Sequence, residues 1–335
     1  MFRKNSLFSI SAAIGSMLGM LMTFSATGAE QALTVKPELH IKSAEQSAMF
    51  KYTMMLGVAR AGKRVVAVGD QGVITLSDDD GKTVRQAQSV PVQSTLTGVW
   101  FVDDKTGWAV GHWGVILKTS DGGVTWSLQR SDINIDQPLF SVYFKNGNEG
   151  WAVGLWSLML HTTDGGASWE KVTLPAAPGT KKVDRNFYSI FANAAGDVFI
   201  TCEQGQVLRS AGGDNNWASI DTGYKGSLWS GIALSDGTLV IGGLRGSIYR
   251  STDNGDTWNK VEVDSAASIT GFVIRGDNML VAFGLDGVIL ESRDNALTFT
   301  KKQRADRASI TTGIQSGENG TILFGKAGQL TQQDN

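Results

Sequence analysis

Aspartates recur in one short pattern along this chain, and their side chains could bind a cation or transfer a proton. The pattern Ser/Thr-x-Asp-x-Gly-x-Thr/Ser-Trp is complete at 119–126, 162–169 and 251–258. Its carboxylates could act as calcium ligands or catalytic acids. They could also accept backbone N–H bonds within a turn. Because an active site occurs once and this pattern repeats, we interpret it as structural, and the residues with this role are Asp79, Asp121, Trp126, Asp164, Trp169, Asp253, Trp258 and Asp294.

A second set of side chains lies in two-residue turns upstream of each aspartate pattern. The glycines around these turns repeat, whereas the residues between them differ from copy to copy, and specificity can reside in such positions. Trp113 and Trp156 occupy adjacent copies and could form an exposed protein or sugar contact, or fold back into the interior. The candidate partner-binding residues are Asp70, His112, Trp113, Leu155, Trp156, Glu203, Arg245 and Asp286.

Hydrolytic chemistry needs residues that this sequence does not bring together in an obvious way. Glycoside hydrolases use two carboxylates, and sialidases use a tyrosine nucleophile with arginines that clasp the substrate carboxylate. The variable turns supply Arg245 and the carboxylates Asp70, Glu203 and Asp286, each in a different copy, and no tyrosine. A sialidase-like glycoside hydrolase or a glycan-binding protein therefore stays an alternative to a protein with no catalytic site.

Metal and cofactor chemistry finds little support in the composition. The chain has 3 histidines and 1 cysteine, Cys202, which cannot form an internal disulfide or a cysteine-based zinc site. Cys202 falls in a strand-like segment, so we expect a buried, inert thiol. No phosphate loop or dinucleotide motif occurs in a strand–helix setting. We predict no metal and no cofactor.

A repeated sequence unit determines where these residues lie in the fold. The residues that open the variable turns are spaced 42, 43, 48, 41, 41 and 41 positions apart, and they are Gly69, Gly111, Gly154, Cys202, Gly243, Gly284 and Gly325. Each copy reads as four short strands separated by Gly and Asp turns. Units of this length with four strands are typical of a β-propeller. The sequence predicts an all-β fold, a seven-bladed β-propeller of four-stranded antiparallel blades that start near residues 53, 95, 138, 186, 227, 268 and 309.

Two further positions concern how the ring is built. A small residue precedes the variable turn by 13 positions in six copies, from Gly98 to Thr312, and by 12 at Gly57. We expect it on the innermost strand, where only a small side chain fits. The segment Leu39–Gln46 is expected to add an N-terminal strand to the last blade and close the ring, because an open ring exposes strand edges.

The N-terminus predicts export. Arg3 and Lys4 precede an apolar stretch from Leu7 to Phe24, and small residues up to Ala29 follow, the order of a signal peptide over residues 1–29. An uncleaved membrane anchor is the alternative. Cleavage leaves a single propeller domain over residues 30–335, with 28 basic against 32 acidic residues and a net charge of −4. That balance argues against a nucleic-acid partner bound through a basic surface.

Two resemblances follow from these motifs. The aspartate pattern matches the Asp-box, or bacterial neuraminidase repeat. The longer arrangement at Gly107–Gly111 and Gly150–Gly154, each with Asp-Gly-Gly-x-Thr/Ser-Trp downstream, resembles the photosystem II stability/assembly factor family. This resemblance implies a seven-bladed propeller exported to the periplasm or thylakoid lumen that assists assembly of a membrane protein complex. Family members use an arginine patch, and here the arginines are scattered over several copies, so no such motif is carried over.

We therefore interpret the chain as a non-enzymatic, exported scaffold. The expected partner is a protein, such as a membrane complex or transporter under assembly, and the expected location is the periplasm, with the thylakoid lumen or secretion as alternatives. After signal cleavage we expect no membrane anchor.

Overall fold

Seven small antiparallel sheets follow one another along the chain and form a ring. The computed structural model describes residues 42–174 and 185–331, and within these ranges no helix exceeds three residues. Strand order in each sheet follows chain order. The prediction of a seven-bladed β-propeller is confirmed. The predicted signal peptide lies outside the described residues.

Each sheet is one blade, with four strands in blades 1–6 and three in the described part of blade 7. Blade 1 contains β1 Met55–Ala61, β2 Arg64–Gly69, β3 Ile74–Ser77 and β4 Arg85–Gln86; blade 2 contains β5 Leu96–Phe101, β6 Gly107–Gly111, β7 Ile116–Thr119 and β8 Ser127–Arg130; blade 3 contains β9 Leu139–Phe144, β10 Gly150–Gly154, β11 Met159–Thr162 and β12 Glu170–Lys171; blade 4 contains β13 Phe187–Ala192, β14 Val198–Cys202, β15 Gln206–Ser210 and β16 Trp217–Asp221.

Blade 5 contains β17 Leu228–Ala233, β18 Leu239–Gly243, β19 Ile248–Ser251 and β20 Asn259–Val261; blade 6 contains β21 Ile269–Ile274, β22 Leu280–Gly284, β23 Val288–Ser292 and β24 Thr300–Gln303; blade 7 contains β25 Ile310–Ser316, β26 Gly320–Gly325 and β27 Gly328–Gln329. Short turns of three residues occupy Phe50–Tyr52, Asp70–Gly72, His112–Gly114, Leu155–Ser157, Ala211–Gly213, Leu244–Gly246 and Leu285–Gly287.

The first strands of neighbouring blades approach each other closely. A Cβ on Gly57 of β1 would lie 3.0 Å from the Thr97 carbonyl oxygen on β5, and a Cβ on Gly98 would lie 2.9 Å from the Phe140 carbonyl oxygen on β9. The register of every first strand shifts by one residue just before this small residue, which is the mark of a β-bulge. Neighbouring first strands therefore leave room only for a small side chain at this position, as the sequence predicted.

The core lies between the blades and is formed mainly by second strands. All five residues of β6, β10, β14, β18 and β22 are buried. Trp108 of blade 2 stacks on Phe144 of blade 3, with ring centroids 3.5 Å apart. Because each blade packs against the next, the hydrophobic core is a series of interfaces that continues around the ring.

The ring closes through contacts between blades 7 and 1. The Thr311 hydroxyl donates to the Met55 carbonyl oxygen, and the Arg60 guanidinium donates to the Gln315 carbonyl oxygen at 2.7 Å. The backbone oxygen of Lys51 lies against Gly328 of β27. First and last blades are thus bonded directly to each other.

The expected closing strand over Leu39–Gln46 is not formed by its described part, Lys42–Gln46. These residues run along the end of blade 1 instead: the Ala44 amide donates to the Val90 carbonyl oxygen at 3.0 Å, and the Gln46 side chain donates to the Ala87 carbonyl oxygen at 2.8 Å. Residues 39–41 lie outside the described part of the chain.

Candidate functional site

The variable turns of blades 1–6 are type I′ hairpins, each with two residues in the left-handed region. In blade 1 the Val73 amide donates to the Asp70 carbonyl oxygen at 3.0 Å, and Gln71 and Gly72 have φ values of 53° and 70°. Turns of this type need positive φ at both central positions. The same first central position has φ between 52° and 59° in blades 2–6, at Trp113, Trp156, Gln204, Arg245 and Asp286.

Six blades thus hold a side-chain-bearing residue in a conformation that glycine adopts more easily. The left-handed region costs an L-residue about 1–2 kcal/mol. All these turns lie at the end of the blade where the first strand begins, because Gly69 pairs with Met55 and the other blades repeat this register. We call this end of the ring the turn face.

The turns are tied to the linkers that enter the neighbouring blades. The Trp113 amide donates to the Asp136 carboxylate at 2.8 Å, and the Trp156 amide donates to the Asn186 side chain at 3.1 Å. Ser268 accepts from the Arg245 amide in the same way. The linker side chains therefore hold the turns in place and fix where their variable residues emerge.

The two candidate tryptophans have different environments. Trp113 is half-buried and packs against the core between blades 1 and 2. Trp156 is 53% exposed. His112, beside Trp113, lies 3.3 Å from the Asp136 carboxylate. Of the predicted aromatic pair, only Trp156 is presented mainly to solvent.

The structure exposes two isoleucines, missed by sequence reasoning, in a linker that is hydrogen-bonded to the turn of Trp156. Ile133 and Ile135 are 51% and 53% exposed and belong to the linker between blades 2 and 3. This linker is tied to both neighbouring turns: the Asp132 amide donates to the Trp113 carbonyl oxygen, and the Gln137 side chain donates to the Leu155 carbonyl oxygen, each at 2.8 Å. Ile133, Ile135 and Trp156 form what we call the apolar patch. The sequence feature that could have predicted these exposed isoleucines is the segment Asp-Ile-Asn-Ile-Asp at 132–136, in which they alternate with polar residues.

The remaining residues predicted in blades 1 and 4 continue this region. Thr95 donates from its hydroxyl to the Asp70 carboxylate at 2.6 Å and accepts from the His112 amide at 2.9 Å. The Glu203 carboxylate accepts from the Asn186 amide at 3.1 Å, and Asn186 also bonds to the turn of blade 3. The structure therefore connects the predicted residues of blades 1–4 in one hydrogen-bonded series.

Arg245 and Asp286 are not part of that series. Arg245 is exposed in blade 5. Asp286 in blade 6 forms an ion pair with Arg307 and accepts from the Gln303 side chain at 3.0 Å. The hydrogen bond from Arg307 lowers the pKa of the Asp286 carboxyl. Asp286 is thus an ionised group engaged by its own blade.

The first strands bring together aromatic residues that the sequence reading also missed. The bulged residues are Phe140, Tyr188 and Trp229 in blades 3–5, all half-buried. The rings of Phe140 and Tyr188 stack with centroids 6.0 Å apart. In blades 2, 6 and 7 the bulged residue is a threonine whose hydroxyl bonds the next blade. In the sequence, each bulged residue could have been recognised as the residue that precedes the small residue of the repeat.

The aspartate patterns of blades 1, 2, 3, 5 and 6 form closed hydrogen-bonded turns at the opposite end of the blade, which we call Asp turns. In blade 5 the Asp253 carboxylate accepts from the Ser251 hydroxyl at 2.7 Å and from the Thr257 amide at 3.0 Å. The Ser251 hydroxyl accepts from the Gly255 amide at 2.9 Å. These hydrogen bonds, led by that of Thr257, lower the pKa of the Asp253 carboxyl to about 2.

Other chemistry is sparse within residues 42–174 and 185–331. No group of three or more His, Cys, Asp or Glu side chains is arranged to hold a metal ion there. The Cys202 thiol is fully buried, and burial raises its pKa. In the same ranges no helix is long and apolar enough to cross a membrane.

Comparison with known proteins agrees with the fold. The model of a family described as "Photosynthesis system II assembly factor YCF48" matches residues 85–240. The structure is similar to "YCF48 bound to D1 peptide", with a TM-score of 0.66 and 18% identity over 87% of this chain and 97% of that one. It is also similar to YCF48 from Cyanidioschyzon merolae, with a TM-score of 0.65 and 14% identity over 86% of this chain and 97% of that one.

An enzyme has a similar architecture. Virginiamycin B lyase from Staphylococcus aureus has a TM-score of 0.66 and 12% identity over 86% of this chain and 96% of that one. At such identities the likeness to solved structures shows the fold alone.

None of the curated proteins compared with this sequence matches it significantly. The predicted resemblance to photosystem II assembly factor propellers is confirmed.

Proposed function

We propose that this chain, a seven-bladed propeller similar to the photosystem II assembly factors, is a non-enzymatic exported scaffold. It binds a protein partner and assists the assembly or stability of a membrane protein complex. The family match and the peptide bound to a similar propeller support protein binding. The observation that carries the proposal is the apolar patch of Ile133, Ile135 and Trp156, each more than half exposed.

The apolar patch has the composition of a binding site. Aromatic and aliphatic side chains that lose their water on contact supply most of the affinity of protein interfaces. Trp156 also keeps a left-handed backbone that a glycine would relieve. Asp132 and Asp136 flank the isoleucines, and their carboxylates lie 3.9 Å from Arg130 and 3.3 Å from His112. The patch therefore suits a partner segment with apolar side chains.

The carboxylates of the turn face are occupied by structural bonds, which supports a role other than catalysis. Glu203 accepts from the Asn186 amide, and Asp70 accepts from the Thr95 hydroxyl. The ion pair with Arg307 holds Asp286. A glycoside hydrolase with two catalytic carboxyls keeps one of them protonated near neutral pH, whereas Asp286 has a lowered pKa.

Export to the periplasm is part of the proposal and depends on residues 1–29. Their basic, apolar and small-residue order suits a secretion signal. Fractionation of cells that produce the full chain, with N-terminal sequencing of the product, tests this point. Retention of residues 1–29 in the cytoplasmic fraction would contradict it.

A crosslinking pull-down tests the partner-binding role. The wild type is compared with Trp156→Ala, Ile135→Ser and Leu297→Ala, in membrane and soluble fractions of the host. Leu297 is 60% exposed on an Asp turn, at the other end of the ring, and is the matched control. We expect a protein retained by the wild type and by Leu297→Ala to be lost from the two patch variants. Equal retention by all four proteins, or glycosidase turnover abolished by Glu203→Gln, would overturn the proposal.

A further inference from the structure

The bulged residue of the first strand differs between blades although its place in the fold is the same. It lies beside the turn face, and the first strands contact one another around the whole ring, including those of blades 7 and 1. A threonine at this position bonds the next blade. Thr97 donates to the Leu139 carbonyl oxygen and Thr270 donates to the Ile310 carbonyl oxygen, both at 2.6 Å. The threonine therefore fastens neighbouring blades to each other.

Three consecutive blades have an aromatic residue in place of this threonine. Phe140, Tyr188 and Trp229 occupy the position in blades 3–5, and Leu56 occupies it in blade 1. We call the three rings the aromatic arc. All three are half-buried, and none of them makes a hydrogen bond to the next blade within residues 42–174 and 185–331. Blades 3–5 thus present partly covered ring surface where blades 2, 6 and 7 have a hydrogen bond.

The aromatic arc also carries two donors that are accessible to a ligand. The Tyr188 hydroxyl and the Trp229 indole N–H have no hydrogen-bond partner in the described part of the chain, and neither atom is buried. An indole N–H can only donate. The carboxylate on the turn of blade 4, Glu203, already accepts from the amide and the side chain of Asn186. The arc therefore suits a ligand that brings apolar rings and hydrogen-bond acceptors.

The spacing of the rings favours an extended polypeptide. The ring centroids of Phe140 and Tyr188 lie 6.0 Å apart, and their planes differ by 13°. Two residues of a polyproline II helix rise about 6.2 Å. Asn186, two residues before Tyr188, also accepts from the Trp156 amide. The arc thus belongs to the turn face, on a strand to which the turn of the apolar patch is tied.

We propose that the aromatic arc binds a proline-rich segment of the partner protein in the polyproline II conformation. Its proline rings pack on the aromatic rings, and its backbone carbonyl oxygens accept from the Tyr188 hydroxyl and the Trp229 indole N–H. Such a segment has no internal hydrogen bonds and proline has no N–H, so it presents apolar rings and acceptors together.

This ligand fits the arc better than a glycan does. Grooves lined by aromatic residues are a recurrent binding site for proline-rich segments. The hydroxyls of a glycan are donors as well as acceptors, and the carboxylate of Glu203 is already bonded to Asn186. The proposal rests on the protein-binding role proposed above and names the class of segment that is bound.

Calorimetric titration with hexaproline tests the proposal. The peptide is acetylated and amidated, so that no terminal charge contributes to binding. We expect saturable binding at one site, and a loss of about tenfold or more in affinity when the two central prolines are replaced by glycine, which keeps the carbonyl acceptors and removes the rings. No saturable binding would overturn the proposal and leave the pull-down with the apolar patch variants unaffected. Saturable binding of chitohexaose instead of the peptide would assign the arc to glycans and would overturn it as well.

Protein variants locate the site. Trp229→Thr supplies the residue that blades 2, 6 and 7 have at this position, so it should fold and lose affinity for hexaproline by about tenfold or more. Tyr188→Phe removes one donor and should weaken binding by about threefold to tenfold. Tyr52→Phe removes the hydroxyl of a tyrosine outside the arc that is 54% exposed, and this matched control should bind as the wild type does. Thermal unfolding verifies that each variant folds, and a folded Trp229→Thr with the affinity of the wild type would overturn the proposal.

A double variant distinguishes a partner segment from prolines of the chain itself. Pro175 and Pro178 precede blade 4 and lie outside the described residues. If the arc takes a partner segment, Pro175→Ser combined with Pro178→Ser leaves the affinity for hexaproline unchanged. A gain of about tenfold or more would show that the chain fills its own arc, and would overturn the proposal.

Discussion

At the residue scale, oxygen acceptors satisfy the backbone of every turn. Asp253 accepts hydrogen bonds from two residues of its own turn, and Asp136 and Asn186 accept from turn amides that would otherwise stay unpaired. Buried or constrained N–H groups without a partner cost about 1–3 kcal/mol each. The aspartates and asparagines therefore contribute to the stability of these turns, at whose central positions Trp156 and Arg245 are exposed.

Replacement of Asp253 by asparagine should make stability less dependent on pH. The folded pKa of about 2 lies below the value near 3.9 of an unfolded aspartate, so the ionised carboxylate stabilises the fold above about pH 4, and this contribution is lost as the pH falls through about 2. Asp253→Asn should lower the Tm at pH 7 by about 2–4 °C. The difference from the wild type should shrink between pH 4 and pH 2 in thermal unfolding followed by circular dichroism.

The control is Asp264→Asn, which changes an exposed aspartate in the linker that follows the same blade. It should leave the Tm unchanged across that range. A difference between Asp253→Asn and the wild type that stayed constant from pH 7 to pH 2 would contradict the assignment.

At the scale of the elements, glycines at strand ends let blades and linkers approach each other. A Cβ on Gly111, at the end of β6, would lie 2.1 Å from the Thr95 carbonyl oxygen. The obstacle is backbone, which cannot rotate away as a flexible side chain can. The spacing of these glycines in the sequence therefore indicates where the linker crosses the second strand.

Gly111→Ala should lower the free energy of unfolding by about 1–3 kcal/mol, the usual cost of overpacking. Gly147→Ala is the matched control, because a Cβ there meets nothing within 4 Å. It should change stability by less than about 0.5 kcal/mol. Urea unfolding measures both, and equal effects of the two substitutions would show that the close approach does not exist.

At the scale of the whole molecule, closure of the ring joins residues about 250 positions apart. Thr311 Oγ1 donates to the Met55 carbonyl oxygen across blades 7 and 1, and Thr270 Oγ1 donates to the Ile310 carbonyl oxygen across blades 6 and 7. The two bonds are equivalent in position. The interface between last and first blades is thus built like its neighbour, without a shared strand in the described residues.

Thr311→Val should therefore cost as much stability as Thr270→Val, about 1–2 kcal/mol each, since both leave a carbonyl oxygen between blades without its donor. Urea unfolding of the two variants tests whether the ring is closed in solution. If Thr311→Val left the free energy of unfolding unchanged while Thr270→Val lowered it, blades 7 and 1 would not be in contact in solution.

The local part of this structure could be predicted from the sequence. The period near 41 residues, the number of blades and the chemistry of the Asp turns depend on residues within a few positions of one another, as between Asp253 and Thr257. Turn geometry and strand alternation are short-range properties, so each copy of the pattern is an independent observation of the same structure.

Burial of a given side chain was decided by the tertiary structure, because its neighbours come from another blade about 40 residues away. Trp113 and Trp156 occupy the same position in adjacent copies, yet the core between blades 1 and 2 covers the first, whereas the second is 53% exposed. The apolar patch depends on a linker held between two turns. Short-range chemistry sets the form of each blade, while contacts between blades determine which surfaces remain available for a partner.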